Sequence, residues 1–318
     1  MNVKKIGTGL INDTYLTEDT DSSNALIFQR VNTFVFQNPT EVMENIRKVT
    51  DHLKTKGIPS LEFLPFEDGS FLKTDENGTW RKMKYVDSVT YDSSSDISII
   101  EGTAEAFGNF SRELSDFKGS LHETIKDFHN TKKRLDDCLS AAEKDEAGRA
   151  DEAKELIKLV ETNAKEIRDD YDRLFSCAPL RVTHNDTKMS NVLFDRDSNK
   201  PIMVIDLDTI MYGMSIYDYA DGARSVSLER KGKDRLIFNR NKYEAYTNVY
   251  TRSAKDMLTE DEKKNLFLAT MTITKELGMR FLEDYLRGDP YFSISEEKSN
   301  YFRAKRFLEF AFTKDIIL

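Results

Sequence analysis

The stretch Thr183-His-Asn-Asp-Thr-Lys-Met-Ser-Asn191, followed shortly by Val204-Ile-Asp-Leu-Asp-Thr209, constrains this chain more than any other. Asp186 precedes Asn191 with four residues between them, and a second acid, Asp206, closes an apolar run. A hydroxyl that attacks a phosphoryl group must lose its proton, and a carboxylate at Asp186 can accept it. Magnesium takes oxygen ligands and bridges phosphates. An amide oxygen from Asn191 and a carboxylate from Asp206, both near the ends of short strands, suit that task. Alone, each of these residues reads equally as a turn or strand-end residue. In this order, with strands between them, they point to phosphoryl transfer from ATP to a hydroxyl.

The neighbours of this triplet have graded readings. Lys188 could neutralise charge on the transferring phosphate, or be a surface lysine. His184 reads as a packing or hydrogen-bonding residue, since Asp186 holds the chemical position. Asp208 either orients metal or substrate, or caps a helix. Gly7 and Gly9 let backbone approach phosphate closely. The third glycine of G-x-G-x-x-G is replaced by Asn12, which makes the motif weak by itself. No Walker A sequence occurs, which excludes the P-loop class.

The surrounding sequence predicts a small β-rich part followed by a larger helical one. Thr14–Thr17 and Ala25–Val31 read as strands, as do Ser70–Lys73 and Trp80–Val86 around the Asp75–Gly78 turn. Between them, Asn38-Pro-Thr-Glu41 signals a helix start with a capping box. Val42, Ile46, Val49 and Leu53 give that helix one apolar face. Beyond Ser88 the pattern predicts helices over Ile99–Leu114, Leu121–Leu139, Asp151–Phe175, Arg235–Arg252, Glu260–Arg287 and Glu296–Phe312. They are interrupted by short strands at Leu180–Val182, Val192–Phe194 and Ile202–Ile205. The charge of Asp151–Phe175 reads as a solvated face. The expectation is an α+β, protein-kinase-like fold of two lobes, residues 1–87 binding nucleotide and residues 88–318 carrying catalysis and substrate, with ATP between them. Tyr85 and Val86, ending the small lobe, could meet adenine through their backbone, or simply pack as strand residues.

With 318 residues, 32% of them charged and a net charge of -9, the chain reads as a globular protein without a nucleic-acid-binding surface. Its two cysteines, Cys138 and Cys177, make no metal motif or disulfide framework, which suits a reducing cytoplasm. Neither a signal peptide nor an apolar run of membrane-spanning length is visible, so no membrane partner is expected. Nothing in the pattern fixes an oligomeric state.

The catalytic stretch resembles the aminoglycoside phosphotransferase and choline kinase superfamily, with its H-x-D-x-x-x-x-N loop and later I-D-x-[DE]. The match looks closest to N-acetylhexosamine 1-kinases, through His184–Lys188 and Ile205–Thr209. Gly9–Tyr15, Phe28–Thr33 and Glu276–Phe292 look like further segments of that group. The resemblance implies ATP and magnesium as cofactors and a small-molecule sugar as partner. It implies Asp186 as base for an anomeric hydroxyl, Asn191 and Asp206 on the metal, and Arg280 and Tyr291 on the sugar. Read without it, Arg280 is a surface ion pair and Tyr291 is core.

One departure from the common kinase pattern concerns the third strand, which lacks a V-A-I-K lysine and offers Gln29 and Arg30 instead. Arg30 could bind phosphate bidentately and pair with Glu41 or Glu44. Alternation sends the two side chains to opposite faces, and the sequence leaves open which faces the cleft. Two rivals to a sugar kinase are a choline- or aminoglycoside-type phosphotransferase and a catalytically dead nucleotide-binding scaffold. The single Trp80 lies in the small lobe, away from an ammonium cage.

Overall fold

The structure is a computed structural model and describes residues 3–6, 11–17 and 25–313. The chain enters through an antiparallel sheet. Strands β1 (Val3–Ile6), β2 (Asp13–Thr17), β3 (Leu26–Val31), β6 (Gly78–Lys84) and β4 (Phe63–Leu64) lie in that order, and β5 (Lys73–Asp75) forms a hairpin with β6. Between β3 and β4 runs α1 (Pro39–Thr55). Asn38 Oδ1 accepts the Glu41 amide and Pro39 occupies the first turn, where a missing N–H costs nothing. Val42, Ile46, Val49 and Leu53 are all buried. Each contributes roughly 1.5–3 kcal/mol of apolar burial, which fastens α1 into the larger buried cluster.

The remaining chain is mostly helical: α2 (Ile97–Glu113), α3 (Thr131–Lys144), α4 (Ala150–Thr162), α5 (Ala164–Cys177), α6 (Ile216–Ser227), α7 (Arg240–Ala254), α8 (Glu260–Lys264), α9 (Leu266–Leu286) and α10 (Ser299–Ala311). Three antiparallel strand pairs interrupt it. They join β7 (Leu180–Thr183) to β10 (Met211–Met214), β8 (Val192–Phe194) to β9 (Pro201–Val204), and β11 (Leu228–Lys231) to β12 (Arg235–Phe238). This is a kinase-like α+β fold, an N-terminal antiparallel sheet followed by a helical part. One buried apolar cluster runs from α1 through α2, α6 and α7, and a second joins α3, α4, α9 and α10.

Several expected elements differ from what forms. The helix expected over Leu121–Leu139 begins only at Thr131. Asn45 of α1 exchanges hydrogen bonds with the His122 backbone, and Asp127 and His129 adopt left-handed φ values of 53° and 58°, which no helix tolerates. The helix expected over Asp151–Phe175 is broken at Asn163 into α4 and α5. Arg235–Phe238 is strand rather than helix, and α7 starts after Asn239, whose side chain caps it. In the N-terminal sheet, β5 starts at Lys73, where a strand over Ser70–Lys73 was expected, and β6 ends at Lys84, two residues short of Val86.

Candidate active site

The catalytic loop is built on β7 and β10, whose register pairs Thr183 with Met211. At the end of β7 the chain turns sharply. Asn185 adopts φ 65°, a conformation that non-glycine residues hold only when their surroundings enforce it. Asp218 of α6 supplies that enforcement, its two carboxylate oxygens accepting the His184 and Asn185 amides at 2.8 Å each. Burial raises the Asp218 carboxyl, while these two amides oppose the shift. Gly222 sits one turn further along α6. A Cβ there would collide with the Tyr246 hydroxyl and crowd Thr187 O.

His184 is fully buried and lies edge-on to Phe107 and Phe110. Its Nδ1 accepts the Asp186 amide, so Nε2 carries the proton and donates to Ile205 O at 2.9 Å. The ring thus ties the Asp186 loop to the Asp206 turn, and both its nitrogens are committed to backbone. On the other side of the loop, His129 Nε2 faces Asn185 O at 2.9 Å and Nδ1 faces Glu276 Oε1 at 2.7 Å. Both partners are acceptors, so the ring is an imidazolium. Burial works against that charge, but Glu276 outweighs it and raises the His129 pKa. Glu276 Oε2 also accepts from Thr131 at 2.6 Å.

Asp186, Lys188, Asn191 and Asp206 converge. The Lys188 ammonium lies 2.6 Å from Asp186 Oδ2 and 3.8 Å from Asp206 Oδ2. Burial disfavours the Asp186 charge, but Lys188 beside it holds the carboxyl below its ordinary range. Asn191 donates its amide to Asp186 O at 2.8 Å and to Asp186 Oδ2 at 3.0 Å, and its side-chain oxygen is not claimed among the described residues. Asp206 stands in a left-handed turn, φ 63°, and among the described residues Lys188 is the cation paired with its carboxylate. Burial, joined by the Asp208 and Asp186 carboxylates, pushes Asp206 up to about 6 against the pull of Lys188.

The other candidates fall in distinct places. Asp208 is buried at 2% exposure. Its Oδ2 accepts from Asn12 Nδ2 at 2.6 Å, and Arg81 Nη2 lies 2.6 Å from Oδ1. Gln29 faces inward, accepting Arg81 Nε and Nη2 and donating to Thr14. Arg30 faces the other way. It pairs with Asp13, its cross-strand partner, and not with Glu41 or Glu44 as expected. Tyr85 and Val86 lie just beyond β6, with the Tyr85 amide bonded to Ala25 O and Val86 O accepting from Ser88. Gly7 and Gly9 lie outside the described residues.

Arg280 projects from α9 onto the rings of Phe128, Tyr291 and Phe292, at 5.2, 5.6 and 5.4 Å, and forms no ion pair among the described residues. The loop carrying Tyr291 is shaped by Asp284, whose carboxylate accepts the Tyr291 and Phe292 amides at 2.8 and 2.9 Å. A cavity of about 500 Å³ opens between Lys5, Asn12 and Asn32 on the sheet side and Tyr291 and Ser293 on the helical side. Asp186 and Asp206 are not among its lining residues, and it lies between the N-terminal sheet and the loop after α9.

Sequence reasoning missed Asp218, His129 with Glu276, Asp284 and Arg81. A signal existed for Arg81, which shares the phase of Met83 on β6. An arginine on the apolar face of a strand calls for a buried partner.

A carboxylate beside a lysine, an amide and a second acid thus lies after an N-terminal antiparallel sheet in a kinase-like fold. The chain belongs to the phosphotransferase enzyme family (APH), whose sequence profile matches residues 2–249. Solved structures carry the same fold at low identity. An ethanolamine kinase of Plasmodium vivax is 15% identical, with TM-score 0.61 over 95% of this chain and 80% of that one. Amicoumacin kinase hAmiN, solved with AMP-PNP, Ca2+ and Ami, is 10% identical, with TM-score 0.64 over 97% and 87%. Choline kinase LicA from Streptococcus pneumoniae is 13% identical, with TM-score 0.62 over 98% and 93%. Among the described residues no helix is long and apolar enough to cross a membrane.

Proposed function

We propose that this phosphotransferase transfers the γ-phosphoryl group of ATP to the anomeric hydroxyl of an N-acetylhexosamine, giving the sugar 1-phosphate. The observation that carries the acceptor class is the Arg280 guanidinium spread over Phe128, Tyr291 and Phe292. A choline-type acceptor needs free aromatic faces for its ammonium. Here a fixed cation already covers them, and a second cation would meet its repulsion. A neutral, hydroxyl-rich acceptor fits such a wall, with Arg280 donating to its oxygens and Tyr291 flanking it. The resemblance of Glu276–Phe292 to the sugar-binding segment of N-acetylhexosamine 1-kinases supports the same choice.

The donor atoms fit magnesium. Among the described residues the side-chain carbonyl oxygen of Asn191 accepts no hydrogen bond, and the Asp206 carboxylate, raised to about 6, is one that a nearby cation would keep ionised. Among the described residues no three His, Cys, Asp or Glu side chains form a self-sufficient cation cage. One amide and one carboxylate suit an ion completed by water and phosphate oxygens. Such an ion, when bound, supplies charge neutralisation on the phosphates. Asp186 accepts the proton of the attacking hydroxyl, and Lys188 holds that carboxylate ionised until the acceptor arrives. Asn12 stands on the phosphate side, and the backbone at Tyr85 and Val86 meets adenine. Asp208 reaches the substrate only through the groups it orients.

The test is ADP release with magnesium and ATP against GlcNAc, GalNAc, choline and kanamycin, with the product identified by phosphorus NMR. A sugar 1-phosphate is expected. Turnover with choline or kanamycin alone would keep the catalytic residues and discard the sugar.

A further inference from the structure

The third strand lacks the lysine that kinases of related design use to join the sheet to the phosphates. Its inward position is Gln29, which is not charged. The register places Gln29 directly opposite Arg81 on β6. The Arg81 side chain is 3% exposed and is held on every side. Nε and Nη2 donate to Gln29 Oε1 at 2.9 and 2.6 Å, and Nη1 points at Met43 Sδ of α1. Its guanidinium ends 2.6 Å from Asp208 Oδ1, an ion pair whose angle falls short of a hydrogen bond. The second oxygen of Asp208 takes the Asn12 amide, and Asn12 is itself fixed by the Asn32 backbone.

We propose that Arg81 is the positioning residue that replaces the missing strand lysine, suspending the Asp206 turn from the N-terminal sheet through Asp208, with Asn12 closing the clasp. This rests on the reading of Asp206 as the acid that holds the metal, and not on the identity of the acceptor.

Three observations support the assignment. First, a buried ion pair is an expensive way to gain stability, because desolvation cancels most of the attraction. A pair with both partners at 3% exposure that joins the N-terminal sheet to the helical part therefore calls for a role other than packing. Second, the turn it grips is strained. Asp206 holds φ 63°, and Asp208 lies two residues on, in the short 3-10 segment Leu207–Thr209. Such a conformation persists only where neighbours over-determine it. Asn45 of α1 grips the same segment from the other side, donating to Ile210 O at 3.0 Å. Third, Asn12 stands directly before β2 and is held by the Asn32 backbone after β3, so one carboxylate ties the N-terminal sheet to the turn that carries Asp206 through two separate contacts, Arg81 and Asn12. Arg81 is too deeply buried to touch substrate itself and acts through Asp208.

The test uses the full chain and compares wild type, Arg81→Lys, Arg81→Met and Asn12→Ala. Calorimetry measures binding of ATP at a series of magnesium concentrations, which needs no acceptor, and thermal melting reports folding. Partners that orient a metal ligand are worth about 10- to 100-fold in metal affinity. Arg81→Met is expected to weaken magnesium-dependent ATP binding by that factor. Arg81→Lys should recover part of the loss, and Asn12→Ala should shift it in the same direction by less. Should Arg81→Met not fold, Arg81→Lys and Asn12→Ala carry the test. Variants that melt lower yet bind ATP with the wild-type magnesium dependence would overturn the proposal and leave phosphotransfer standing. A wild type whose ATP binding ignores magnesium would instead overturn the metal reading, and the clasp's role with it.

Discussion

Replacing Glu276 by glutamine tests whether the His129 imidazolium braces the catalytic loop. The substitution keeps shape, and the amide oxygen can still accept from His129 Nδ1. What is lost is the charge opposite a ring that faces acceptors at both nitrogens. Without it the ring stays charged and unpaired, or loses a proton and leaves one nitrogen against an oxygen. Breaking a buried pair by removing one partner costs roughly 3–5 kcal/mol, and retention of shape places this case near 3 kcal/mol. At about 2.1 cal/mol/K per residue over 318 residues, the melting entropy is about 0.7 kcal/mol/K, so the melting temperature should fall by about 4–5 °C. The pH dependence has a definite sign. His129 titrates above its ordinary 6.5, so its contribution is complete below 6.5 and is lost as pH rises through the raised value. Glu276 titrates below its ordinary 4.5, so its contribution is complete above 4.5 and is lost as pH falls through the lowered value. The gap between wild type and variant should therefore be widest between those two values and should narrow as the solution turns alkaline. Thermal scans of both proteins across the pH range measure it. Equal melting temperatures, or a gap that ignores pH, would refute the imidazolium.

Asp186→Asn should abolish turnover and leave ATP binding within about twofold, since the base contributes to the reaction and not to nucleotide recognition; calorimetry beside the rate assay checks this. Asp284→Asn places an amide donor against the Tyr291 or Phe292 N–H. It should raise the KM for the acceptor by about tenfold with kcat retained, following about 1–3 kcal/mol of lost loop stability, and steady-state kinetics reads the split. Ile46→Ala, at a fully buried position of α1, should destabilise by about 2–5 kcal/mol in denaturant titration, with little change in the catalytic constants of the folded fraction.

What the sequence made legible was local. The α1 helix announces itself through Asn38, Pro39 and a four-residue apolar rhythm, all read within one segment. The catalytic triplet is equally local, since its spacing and its flanking strands lie within about two dozen residues. The elements that were misread depend on contacts far along the chain. The segment before α3 is not helical because Asn45 holds His122 from a distance of 77 residues. The α6 helix was not expected because residues 216–223 are buried all round and its polar residues serve partners inside the protein, Asp218 holding two loop amides and Asp221 pairing with Arg224. Alternation along β3 correctly separated Gln29 from Arg30, but which one turns inward is decided by the packing of β6 and α1 against the sheet. The inward charge came from Arg81 on the neighbouring strand. Asp218 was invisible for a similar reason. Its role is to accept two amides of a loop more than thirty residues earlier, and nothing in its own neighbourhood encodes that.

The most direct test of the account is the product formed from ATP, magnesium and an N-acetylhexosamine, followed by phosphorus NMR and repeated with Asp186→Asn. Wild type should give a sugar 1-phosphate and the variant none. A product phosphorylated at another hydroxyl would contradict the anomeric assignment, and unchanged turnover by Asp186→Asn would contradict the chemistry placed at the centre of the site.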